Sequence, residues 1–153
     1  IMSPSRLHEV SKEMIGCLVE AWCFERGVDV TPYGSWTLEN KEAERGAEPD
    51  GCYVVGDDDD PALPHVAIEV VVTSGGIDKL EVYRKLGVGE VWFYQKGRFS
   101  LYALRGEHYQ PIEQSEALPG IDLVELDGYL AIKPMTKAVR QYRAALRGEP
   151  PPG

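Results

Sequence analysis

The chain has 153 residues, 43% of them apolar, which is enough for one domain with a sizeable core. Its formal net charge of −9 excludes a protein that coats nucleic acid by charge alone. No apolar run approaches the ~20 residues needed to cross a bilayer, and no signal-peptide pattern opens the chain. Cys17, Cys23 and Cys52 form no metal or redox motif, and scattered cysteines in odd number point to a reducing cytoplasm. Ile1 stands ahead of Met2, so residues upstream of this start are expected.

Ser5 to about Arg26 reads as a helix that Ser5 can cap and Gly27 ends. Ile15, Leu18, Val19 and Trp22 form its apolar stripe, which His8 extends backward. Val28 to about Leu38 alternates loosely and predicts a strand interrupted near Pro32 and Gly34; the charged stretch Asn40 to Ala47 predicts a loop. Gly51 to Val55 is a short strand, and Gly56 to Pro64 an acidic, proline-bounded turn whose Asp57 to Asp60 run has no metal-ligand spacing. "HVAIEVVVTS", His65 to Ser74, is the strongest strand signal. Ile77 to about Leu86 is a helix stopped by Gly87, with Glu81 and Lys85 as an outward pair. Val91 to Tyr94 is a strand. Lys96-Gly97 turns into Phe99 to Leu104, and Arg105-Gly106 turns into His108 to Gln110. Pro111 to Gly120 reads as loop, Ile121 to Leu126 as extended, and Met135 to Leu146 as the last helix. The proline-rich segment 148–153 is expected to fray. With no internal repeat, this order predicts one α/β layered domain over residues 1–153: an α+β mixed sheet flanked by helices.

Glu69 is the residue that does not belong in its strand. Val66, Ile68, Val70 and Val72 point one way, and Ala67, Glu69, Val71 and Thr73 the other, so both faces are mostly apolar and the strand is central. A carboxylate buried there alone costs on the order of several kcal/mol. A cation, a metal or a proton must offset it. Folding the preceding strand back about the turn near Asp60 places Asp50 opposite roughly Val70, within one residue of Glu69 and about 5 Å from its opposed partner. A register slip of one residue would flip the face. Two converging carboxylates favour a hard divalent cation, Mg²⁺ or Mn²⁺, completed by water and phosphate oxygens.

Lys79, Tyr83 and Leu86 share a helical stripe, so Lys79 leans toward the same end of the strand. A metal, two acids and a lysine form a constellation for phosphodiester hydrolysis. The other reading of these residues is an inert Glu69–Lys79 salt bridge with Asp50 as a turn residue after Pro49. His8 also has two readings: a helix-start histidine satisfied by packing or backbone, or a contact to the site or its substrate. Glu9 and Glu13 lie near the same helix end. Lys133, Lys137, Arg140, Arg143 and Arg147 share one broad helical face, either solvated or contacting nucleic-acid phosphates. The three tryptophans and the strand Trp92 to Tyr94 read as core rather than as a base-stacking platform.

Pro49-Asp50, Glu69 and a following lysine resemble the pattern of the PD-(D/E)XK nuclease superfamily. The block "AIEVVVTSGGIDKLEVYRKLGVGEVWFY", Ala67 to Tyr94, is similar to the Uma2 family of restriction-endonuclease-like proteins. The residues carrying the likeness are Glu69-Val70, Thr73-Ser74, Asp78, Lys79, Tyr83, Gly87-Val88, Glu90 and Trp92, and the opening "IMSPSRLHEV" extends it to His8. The resemblance implies a restriction-endonuclease-like core and a site of Asp50, Glu69 and Lys79. It implies Mg²⁺ or Mn²⁺ held by Asp50 and Glu69, and DNA as substrate. The superfamily's frequent helical acid leaves Glu9 and Glu13 as candidates beside His8 and Tyr83. The chain departs from the pattern at Val71, where the superfamily usually has its lysine, at Gly75-Gly76 in place of a more polar turn, and at Gln95, where an acid is often found.

The expected function is a Mg²⁺-dependent DNA endonuclease in the cytoplasm, with no membrane association. A further expectation is a homodimer whose two sites face each other across one duplex. The alternative, motivated by the acidic charge and the displaced lysine, is a catalytically inactive nuclease-fold protein serving as a binding or regulatory module. Its unaided DNA binding would be weak and steeply salt-dependent.

Overall fold

Residues 4–34, 36–40, 45–72 and 79–152 are described in a computed structural model. The β-branched run around Glu69 forms strand β5 (Val66–Val71), buried at every position but the last. It sits inside a six-stranded sheet of order β1-β4-β5-β6-β7-β8. The partners are β1 (Val30–Pro32), β4 (Gly51–Val55), β6 (Glu90–Gln95), β7 (Arg98–Arg105) and β8 (His108–Ile112). Only the β5–β6 pair is parallel, so the sheet is mixed. A parallel pair requires a crossover, and helix α2 (Lys79–Leu86) lies between β5 and β6 in the chain.

Both faces of the sheet are covered, which is why β5 reads as nearly continuous apolar sequence. On one face α1 (Pro4–Arg26) sets Ile15, Leu18, Val19 and Trp22 against Val66, Ile68, Val70 and Trp92. Leu126 of α3 (Leu123–Asp127) and Tyr142 of α4 (Met135–Leu146) complete that layer. On the other face Tyr83 and Leu86 of α2 pack on Ala67, Val91 and Phe93. A separate hairpin, β2 (Leu38–Asn40) with β3 (Arg45–Ala47), inserts Leu38 beneath them. The mixed sheet flanked by helices is the architecture expected from the element order.

Several local expectations differ from the structure. The first helix begins at Pro4, whose missing amide hydrogen suits a first turn, so Ser5 lies inside the helix rather than capping it. The single interrupted strand over Val28 to Leu38 is two elements. β1 stops at Pro32, Gly34 turns the chain at φ +61°, and β2 pairs with β3 instead of the main sheet. The segment Asn40 to Ala47, expected as loop, therefore contributes strand residues at both ends. Strand β8 runs through Pro111 to Ile112 before the loop begins. Ile121 to Leu126, expected as extended, contains helix α3. The Asp122 carboxylate accepts from Glu125 N at 3.0 Å and caps it, and Leu123 and Leu126 are buried one turn apart. Residues 41–44 and 73–78, with the turn Thr73 to Gly76, Ile77 and Asp78, lie outside the described residues. Among the described residues, no helix is long and apolar enough to cross a membrane.

Candidate active site

The β4–β5 ladder ends at Gly51↔Ile68, and the same register places Asp50 across from Glu69. That is one residue from the expected partner, Val70. The difference matters because directly opposed residues of an antiparallel pair project to the same face. Both acids therefore belong to the α2 side of the sheet. With β4 ended, the Asp50 side chain continues the ladder: Val70 N donates to Asp50 Oδ2 at 2.8 Å. His8 Nε2 stands 3.0 Å from the same oxygen.

Glu69 is only 2% exposed. Lys79 Nζ donates to Oε2 at 2.9 Å, and the Tyr83 hydroxyl donates to Oε1. Lys79 and Tyr83 are one helical turn apart, which lets α2 bring two donors to one carboxylate. Tyr83 is fully buried, whereas Lys79 is half exposed. Burial pushes the Glu69 carboxyl above its ordinary range. The Tyr83 and Lys79 hydrogen bonds oppose the shift and the Asp50 charge adds to it. Burial, then the Glu69 charge, drives the Tyr83 phenol far upward, so Tyr83 remains a donor at any ordinary pH.

The remaining candidates separate by position. His8 Nδ1 is 3.5 Å from Glu9 Oε1, and Glu9 is also 3.8 Å from Lys12 Nζ. The His8 imidazole thus stands between Glu9 and Asp50, one at each ring nitrogen. Glu13 is exposed farther along α1 and makes none of these contacts. Lys133, Lys137 and Arg140 are exposed. Arg143 Nε and Arg147 Nη1 donate instead to Glu25 Oε1 at 2.6 and 2.8 Å, and Arg147 Nε donates to Glu149 Oε1 at 3.0 Å. The guanidinium of Arg143 also lies 4.6 Å from the centre of the Phe24 ring. The Arg143 hydrogen bond is the main reason the Glu25 carboxyl is held below its usual range.

Glu90, in the same sequence block as Glu69, has a different part. It sits at the opposite end of the parallel pair and accepts from Trp92 Nε1 at 2.6 Å, Ser115 Oγ at 2.5 Å, Glu116 N at 2.9 Å and Ala117 N at 3.0 Å. A carboxylate so saturated ties the 115–117 loop to β6 and has no lone pair left over for chemistry.

Asp50 and Glu69 supply hard oxygen donors, and Asp50 Oδ1 accepts no hydrogen bond from the described residues. Among the described residues, no group of three or more His, Cys, Asp or Glu side chains converges to hold a metal. Two carboxylates are the donor type that Mg²⁺ takes when water and phosphate oxygens complete its shell. A family model, Uma2, whose description reads "Putative restriction endonuclease", matches residues 1–133. No curated protein matches the chain.

Proposed function

The chain belongs to the Uma2 family, and from that premise we propose that it is a divalent-metal-dependent endonuclease that hydrolyses DNA phosphodiester bonds. The observation that carries this reading is the convergence of Asp50, Glu69 and Lys79, from β4, β5 and α2, at one end of one sheet face. Mg²⁺ or Mn²⁺ held by Asp50 and Glu69 would supply Lewis acidity toward the scissile phosphate and its attacking water. His8 and the Val70 amide hold Asp50 Oδ2 in place, and Oδ1 would be the oxygen offered to the ion. Tyr83 fixes Glu69 Oε1, leaving Oε2 shared with Lys79. The half-exposed ammonium of Lys79 faces solvent beside the acids, where it can orient water and stabilise negative charge developing on the phosphate.

The test is cleavage of plasmid and oligonucleotide DNA with Mg²⁺ or Mn²⁺. Asp50→Ala and Glu69→Ala are expected to lose at least about a hundred-fold in rate. Activity equal to wild type in both variants would reject the reading.

One observation favours a second reading, a binding or regulatory module without catalysis. Both Glu69 oxygens are engaged inside the protein, so the carboxylate is satisfied without a metal. Calorimetric titration with Mn²⁺ separates the two. Binding that disappears in Glu69→Gln supports the endonuclease. No Mn²⁺ binding to the wild type supports the module.

A further inference from the structure

Beside the acids, on the same face of the sheet, lies an aromatic pair. Tyr33 N donates to Cys52 O at 3.1 Å, carrying the β1–β4 register one residue past Pro32↔Tyr53. Cys52 opposes Ala67, and Ala67 and Glu69 share a face of β5. Cys52 Sγ donates to Gly34 O at 3.5 Å and also lies against the Tyr33 and Trp36 backbone. The thiol therefore lies on the face that carries Glu69 and against the segment that holds the aromatic pair. Tyr33 and Asp50 are separated by two residues along the sheet and one strand across it, roughly 8 Å between backbones.

The rings of Tyr33 and Trp36 lie 5.0 Å apart between centroids, tilted by 35°. Both residues are partly exposed, whereas Trp22 and Trp92 are buried in the core. Trp36 also packs on the core, against the cluster of Leu38, Ala67 and Tyr83, but unlike Trp22 and Trp92 it keeps part of its surface exposed. An acidic chain gains little from phosphate contacts, so affinity for a polyanion must come from another source. Stacking on an aromatic face is such a source, and it requires a base whose own faces are uncovered.

We infer that Tyr33 and Trp36 form a stacking platform for an unpaired nucleobase beside the phosphate site at Asp50 and Glu69. The substrate is then single-stranded or locally unpaired nucleic acid. The inference rests on the nuclease reading for the placement of that phosphate.

The test follows tryptophan fluorescence of the wild-type protein, with metal chelated, during titration with a thymidine oligonucleotide, an abasic oligonucleotide of equal length and a duplex. Trp36 is the reporter. Quenching by the thymidine strand alone is expected, with about ten-fold tighter binding than the abasic strand or the duplex. Tyr33→Leu, which keeps apolar bulk but loses the π-face, should reduce that preference to about two-fold or less, while Tyr33→Phe retains it. Equal affinity for the thymidine and abasic strands, or no fluorescence change with either, overturns the inference. So does a Tyr33→Leu variant that folds by circular dichroism and keeps the full preference. If Tyr33→Leu does not fold, the wild-type comparison decides alone. Metal-dependent cleavage without base preference would overturn the platform and leave the endonuclease standing. Base-dependent binding without cleavage would do the reverse.

Discussion

Glu69 contributes to stability in a way that depends on its proton. Its folded-state pKa lies above the ordinary value, chiefly through burial, so the folded protein holds the proton to higher pH than the unfolded chain does. Its contribution is fully present below the usual carboxylate range and is lost as pH rises through the raised value. Glu69→Gln cannot ionise. Its metal-free stability, measured by urea unfolding, should match wild type most closely in acid and gain on it toward neutral pH. A difference that does not change with pH would contradict this. Tyr83→Phe removes the buried donor to Oε1 and should cost about 1.5–3 kcal/mol, the scale of a hydrogen bond to a charged group. A change within ±0.5 kcal/mol in the same measurement would show the bond to be unimportant. Glu69 was legible in the sequence because a charge interrupts an apolar strand, and Lys79 and Tyr83 because they share a helical stripe. Asp50 was displaced by one residue. Its partner depends on where the ladder stops, and no residue type announces that Val70 N will be taken by a side chain.

Each element aims its residues through its boundaries. Helix α2 delivers Lys79 and Tyr83 together only because one turn separates them. The loop after β8 is fixed by Glu90, whose four donors come from β6 and residues 115–117. Glu90→Ala should leave buried donors without partners and cost at least about 3 kcal/mol by denaturant unfolding; a cost under about 1 kcal/mol would mean that water replaces the carboxylate. On α4 and the segment before it, Lys133, Lys137 and Arg140 remain exposed while Glu25 engages Arg143 and Arg147. If this face meets phosphates, Lys137→Ala and Arg140→Ala should each reduce the slope of log K against log salt by about one, and Arg143→Ala should not. The long or strongly patterned elements, α1, α4 and β5, were readable from periodicity. The hairpin β2–β3 was not, because its strands are short and charged and the apolar anchor it sets into the core, Leu38, has no periodic pattern around it. Helix α3 was missed although Asp122 and Glu125 stand at capping distance; five residues are too few for periodicity to outweigh an apolar alternation.

For the whole molecule, one parallel pair in an otherwise antiparallel sheet sets the site. It sends β5 toward the start of α2 and brings the end of β5, the start of β4 and the first turns of α1 to one edge. This architecture followed from the order of helices and strands, whereas the contact between His8 and Asp50, distant in sequence, emerged only with the fold. An excess of acidic residues also means that the protein cannot rely on its overall field to gather DNA. The proposed function therefore rests on a local arrangement, a divalent ion bound by Asp50 and Glu69, and not on long-range attraction. The most direct test is calorimetric titration of Mn²⁺ into wild type, Asp50→Ala and Glu69→Gln. One site in wild type and none in either variant is the predicted result; no binding to the wild type, or undiminished binding to both variants, would contradict the proposed centre.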